Sequence, residues 1–201
     1  MQKDYPIPAS SLEREIEIKK SRFIARVTAV SSREDAMAFL AQARLDYPDA
    51  RHHCWAYQIG RPGAATQAAM NDDGEPSGTA GKPILNVIQH KDMGDVMVVV
   101  IRYFGGVKLG AGGLVRAYAG ATEAVLSEVP RQTFRQTRSV WLRLGFASEQ
   151  PVRHWCSVHE AEVVTVNYGE EVTMAVAIPE EVHGTFFEFC NAEGIDASET
   201  H

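Results

Sequence analysis

Cysteine is scarce in this chain. There are three in 201 residues, Cys54, Cys156 and Cys190, and no Cys-x-x-Cys pair. So odd and sparse a set excludes a disulfide framework and offers no structural zinc site. Cys156 and Cys190 fall on apolar faces of predicted helices and read as small core residues. Long apolar runs are missing too. No stretch approaches the roughly 20 residues of a membrane-spanning helix. The N-terminal MQKDYPIPASSLERE lacks the apolar centre of a signal peptide. The expectation is a cytoplasmic protein with no membrane partner. Positive charge is not in excess: 20 Lys and Arg stand against 26 Asp and Glu, a formal net charge of −6. A bulk-basic nucleic-acid binder is thereby excluded, and nothing points to DNA. Any contact with RNA must come from a local patch.

The charge is unevenly placed. Residues 1–130 hold 15 acidic and 15 basic side chains, and residues 131–201 hold 11 and 5. Within the first part, the segment 96–121 carries Arg102, Lys108 and Arg116 and no acidic residue. Its sequence starts with an apolar run, Val96–Ile101, that stops at Arg102. Five glycines follow, Gly105, Gly106, Gly110, Gly112 and Gly113, and then a helical pattern through Leu114, Tyr118, Ala121 and Val125. Strand, glycine loop and helix is an arrangement that brings backbone N–H groups and a helix dipole to an anion. The segment lacks the P-loop motif G-x-x-x-x-G-K-[ST], and no G-x-G-x-x-G opens a helix in it. Tight turns and close helix–strand packing also use glycine. Three cations without a local counter-charge favour an anionic partner.

Alternation of charged and apolar residues predicts a strand over Glu13–Ile18, a turn at Lys19-Lys20-Ser21 and a returning strand over Phe23–Val30. Ser32 is the expected N-cap of a helix through Ala36, Leu40, Ala43 and Tyr47, closed by Pro48. A strand over His53–Ile59 puts His52 and Cys54 on one face and His53 on the other. Residues 60–82 read as one long loop, of a length that is usually functional. Pro83 opens a short apolar helix. Pro130 and the polar RQTFRQTR stretch read as a boundary. Beyond it come a strand through Val140 and Phe146, a helix capped by Ser148, a hairpin of Glu162–Asn167 with Val172–Ile178, and a helix through Val182, Phe186 and Phe189. No closing strand is evident after Asn191. The order β-α-β-β-α predicts two helices on one face of an antiparallel sheet.

A second constellation is NDDGEPSGTAG at 71–81, with Asp72, Asp73 and Glu75 within four residues. Clustered carboxylates on a loop suit a hard cation such as Mg²⁺ on a bound phosphate. Carboxylates interleaved with Gly74 and Pro76 better suit a turn whose charges pair with Arg102, Lys108 or Lys82. No Asp-x-Asp-x-Asp spacing is present, and neither a metal nor a cofactor is assigned.

DDGEPSGTAGKPIL and VVVIRYFGGVKLGAGGLVRAY, in that order, resemble the signature of the IMPACT family. KKSRFIA at 19–25 and DARHHCWAY at 49–57 support the match, which runs through residues 15–120. The resemblance implies an α+β protein of two domains. Residues 1–130 would take the fold of the second domain of a small-subunit ribosomal protein, as in domain IV of elongation factor G. Residues 136–201 would form a ferredoxin-like domain. It brings no catalytic residue. It implies a non-enzymatic, translation-associated binding protein that contacts RNA, the ribosome or a translation factor. The small-molecule kinases that share the first fold keep open an alternative, a phosphate-binding enzyme using Mg²⁺. The expected binding surface is Arg102, Gly105, Gly106, Lys108, Gly110, Gly112, Gly113 and Arg116, with Asp72, Asp73 and Glu75 as acidic neighbours. His52 and Lys82 lie beside it.

Overall fold

A computed structural model describes residues 4–199. They form an α+β protein of two compact units, 5–134 and 135–199, the second also taking in Asp4. In chain order the first unit contains β1 (Tyr5–Pro8), β2 (Leu12–Ile18), β3 (Ser21–Ala29), α1 (Arg33–Asp46), β4 (His52–Ile59), β5 (Gln67–Asn71), α2 (Gly81–His90), β6 (Val96–Tyr103), α3 (Gly110–Glu128) and β7 (Arg131–Phe134). Five of its strands make one sheet in the order β2-β3-β6-β4-β5, each antiparallel to its neighbour.

The continuous apolar run of β6 follows from its place at the centre of that sheet. Val96, Val98 and Val100 face a core shared with α2 and α3, through Ile84, Ile88, Ala117 and Tyr118. Met97, Val99 and Ile101 face the opposite core, closed by Ala36, Leu40 and Ala43 of α1. A strand covered on both faces needs no polar alternation. Ser32 caps α1 by accepting the Asp35 N–H at 3.1 Å, which the sequence predicts.

Several expectations need correction. The 60–82 segment is not all loop, because Gln67–Asn71 pairs as edge strand β5 against β4. The RQTFRQTR stretch is not only a boundary: β7 pairs with β1 to form a two-stranded ribbon. Both strands are short, and the β7 residues are all exposed, so neither carries a periodic apolar signal. Helix α3 begins at Gly110 rather than Leu114, which leaves only Gly105 and Gly106 in the loop.

The second unit contains β8 (Thr137–Leu144), α4 (Phe146–Val158), β9 (Glu162–Tyr168), β10 (Val172–Pro179), a single 3-10 turn (Glu180–Val182), α5 (His183–Ala192) and β11 (Asp196–Ser198). Its sheet runs β11-β8-β10-β9, antiparallel throughout. The closing strand that the sequence did not reveal is three residues long and pairs with Arg143, Leu142 and Trp141. Helix α4 starts three residues earlier than expected, with Gly145 at the cap position and Ser148 inside the first turn. Trp155 stacks on His159 and meets Phe186 at 4.7 Å in the core of this unit. Cys156 and Cys190 are buried there, and burial pushes their thiols up to about 11 and about 12. No described helix is long and apolar enough to cross a membrane.

Candidate functional site

The acidic loop sends its three carboxylates to three different places. Asp72 Oδ1 accepts the N–H groups of Ala80 at 3.1 Å and Gly81 at 2.8 Å, and Oδ2 accepts that of Gly78 at 2.8 Å. Ala80, at the cap position of α2, has no side chain to do this. Asp72 therefore satisfies two of the orphan donors at the start of α2, from eight and nine residues upstream. Asp73 sits at φ 39°. Its Oδ2 accepts the His53 N–H at 2.7 Å and its Oδ1 accepts from Arg44 at 3.2 Å. Its carbonyl oxygen lies 2.9 Å from Nδ1 of His52.

Glu75 is turned inward. Its Oε1 accepts from Nη1 of Arg102 at 2.7 Å and from the Tyr118 hydroxyl at 2.7 Å. The Arg102 and Glu75 side chains are 8% and 4% exposed, which makes this a buried ion pair. Of the cations expected to hold the acidic loop, only Arg102 does so. Lys82 is exposed on α2, and Lys108 is exposed beyond β6. The Cys54 sulfur lies 2.9 Å from the Asp72 carbonyl and 3.4 Å from the Tyr118 hydroxyl. Burial raises both the Cys54 thiol and the Tyr118 phenol well above their ordinary values, so both stay protonated. The set behaves as a structural clamp between the acidic loop, β4, β6 and α3.

On one side this clamp forms the wall of a cleft of about 630 Å³. His52, Glu75, Arg102, Lys108 and Gly110 line it, so the fold brings together five of the expected residues. Arg51 and Phe104 also line it. Neither was expected. Arg51 is a single cation in a loop, and Phe104 follows the end of β6 just before two glycines, so neither position carries a periodic signal. The acidic lining residues are Asp49 and the paired Glu75.

Three features give the cleft a positive character. Helix α3 points its N-terminus into it at Gly110, with no side-chain cap and no acidic residue in its first turn. The first N–H groups of such a helix are open to a bound anion. Arg51 and Lys108 are exposed, and no ion pair engages them among the described residues. Arg102 spends one Nη on Glu75, while its Nε is buried without an acceptor.

The remaining expected residues lie outside the lining. Arg116 is exposed on α3, with Nη1 3.5 Å from where a Cβ on Gly112 would sit. A cation drawn over the positive end of a helix is adverse until an anion joins it. Gly105 is required by packing, since its Cβ would fall 2.0 Å from the Lys20 carbonyl carbon. Gly106 and Gly110 hold φ values of +88° and +72°. A Cβ on Gly113 would meet Leu109 at 2.9 Å. Gly112 has neither constraint.

Below the cleft, His53 is buried, and its Nε2 lies 3.1 Å from the Tyr47 carbonyl. Burial pulls its pKa below the ordinary 6.5, with the Tyr47 contact opposing. The unfolded chain then takes up a proton below about pH 6.5 that the folded chain does not, so stability falls as the pH drops through that value. Urea midpoints measured from pH 7 to pH 5 are expected to decline for the wild type and to flatten in His53→Gln. An equal decline in the variant would assign the loss elsewhere.

Residues 19–126 match the Impact N-terminal domain, and residues 142–188 match a domain family of unknown function. An IMPACT family member of Haemophilus influenzae is 36% identical over 183 residues, 91% of this chain and 89% of the relative. The Escherichia coli IMPACT family member YigZ is 36% identical over 173 residues, 86% and 85% of the two chains. A crystal structure of a hypothetical protein superposes with a TM-score of 0.73 at 32% identity, covering 98% of this chain and 97% of the other.

Proposed function

This chain belongs to the IMPACT family, and on that premise we propose that it is a non-enzymatic, translation-associated protein of the cytoplasm whose first unit holds RNA by its phosphates. One observation carries the reading. Arg51, Arg102 and Lys108 converge on a cleft that receives the uncapped N-terminus of α3. Phosphate oxygens fit both the cations and the free N–H groups. The sheet of residues 5–134, with α2 and α3 on one face, supports the ribosomal-protein fold also found in domain IV of elongation factor G. The order β11-β8-β10-β9 with two helices supports a ferredoxin-like second unit. Fold likeness is associational support for a place in translation.

The Mg²⁺-dependent enzyme has less to stand on. Asp72 is spent on three backbone N–H groups, Asp73 on Arg44 and the His53 N–H, and Glu75 on Arg102 and Tyr118. A cation would have to displace those partners.

Binding to a ribosomal RNA fragment, followed by fluorescence anisotropy against salt, tests the reading. Arg51→Ala and Lys108→Ala are each expected to weaken binding and to lower the log–log salt slope by about 0.7–0.9. Arg102→Ala is unsuitable here because it also breaks the buried pair. A wild-type slope in the folded double variant rules out this surface. Tighter binding to a purified translation factor than to RNA makes the partner a protein. Micromolar, Mg²⁺-dependent affinity for ATP or GTP favours the enzyme.

A further inference from the structure

We infer that the cleft takes an unpaired RNA strand, one base stacking on Phe104 and the strand leaving over the Lys19-Lys20 turn. The inference rests on the RNA reading above and narrows it to single-stranded RNA. Phe104 lines the cleft yet is 58% exposed, an apolar ring that no core accounts for. The Arg102 guanidinium carbon lies 5.6 Å from its ring centroid, so a cation supports the ring from the cleft wall. An exposed aromatic ring beside cations is the platform on which unpaired bases stack, whereas bases inside a duplex offer no free face. At about 630 Å³ the cleft has the size of small-ligand pockets, room for a nucleotide but not for a double helix.

The Lys19-Lys20 turn gives a second, independent observation. Ile18 pairs with Ser21, so these lysines are the two centre residues of a tight hairpin. Both have positive φ, 47° and 66°. Such turns favour Asn-Gly, and non-glycine residues held there are strained. The turn's backbone packs directly against Gly105, next to Phe104. Both side chains are exposed and make no ion pair among the described residues. Two lysines kept at a strained tip beside the cleft are explained by phosphates passing over them.

The test compares a fluorescent unpaired RNA of twelve nucleotides with a duplex of the same length. Wild type is expected to prefer the unpaired strand. Phe104→Leu, at an exposed position, is expected to lose roughly tenfold for the unpaired strand and nothing for the duplex, while Phe104→Tyr retains affinity. The double change Lys19→Asn with Lys20→Gly is expected to raise the melting temperature and to lower the salt slope by about 1.4. A purely structural turn would not combine those two signs. Equal affinity for duplex and unpaired RNA, an unpaired-strand affinity unmoved by Phe104→Leu, or an unchanged slope in the turn variant overturns the inference and leaves the RNA reading standing. Binding to neither RNA overturns both.

Discussion

Glu75→Ala is expected to cost about 3–5 kcal/mol of stability, because it leaves Arg102 buried and without an acceptor. The exposures decide the size. Exposed ion pairs are worth about 0–1 kcal/mol, but at 8% and 4% exposed neither of these side chains can turn to water instead. Tyr118 loses its acceptor at the same time and keeps only the contact with the Cys54 sulfur. Arg102→Met should be similarly severe, for the mirror-image reason. Removing both charges together, as Arg102→Met with Glu75→Leu, should recover much of the loss, since no unpaired charge then remains. Urea denaturation of the two single variants and the double variant measures this as a coupling energy. A loss below about 1 kcal/mol in Glu75→Ala would show that the pair is not buried in solution.

The second large effect concerns two glycines seven residues apart. Gly105→Ala is expected to lose about 3 kcal/mol or more, the upper end of overpacking costs. Its Cβ would lie 2.0 Å and 2.1 Å from the carbonyl carbon and oxygen of Lys20 and 2.4 Å from the Ser21 nitrogen. All three are backbone atoms, so no side chain can swing aside, and the β2–β3 turn must move. The Gly105 N–H bond to the Ser21 hydroxyl would go with it. Gly112→Ala should behave oppositely. Its Cβ meets nothing nearer than Arg116 Nη1 at 3.5 Å, and alanine in a helix is favoured over glycine by up to about 1 kcal/mol. Thermal melts of the two variants side by side decide the point. Equal destabilisation would mean that the first turn of α3 is packed more tightly than its geometry indicates.

What could be read from the sequence was whatever a local pattern encodes. The alternation of β2 and β3, the cap at Ser32, the unbroken apolar run of β6 and the stripe of α3 each depend on residues a few positions apart. Periodicity and capping chemistry act at that range. Strands β5, β7 and β11 escaped because they are short and largely exposed, and what holds them is pairing with a distant partner. The candidate site divides in the same way. Arg102, Lys108 and Gly110 could be picked out because charge and glycine cluster along the chain. The destinations of the carboxylates could not. Glu75 meets Arg102 and Tyr118, 27 and 43 residues away, and Asp73 meets Arg44 across 29. Arg51 and Phe104 joined the cleft only when β4 paired with β6 and placed the start of one strand beside the end of the other. Composition and local spacing determined the longer helices and strands and where cations gather along the chain. Sheet register decided which charges are buried as pairs and which are left facing the cleft, because an ion pair depends on distance in space and not on distance along the chain.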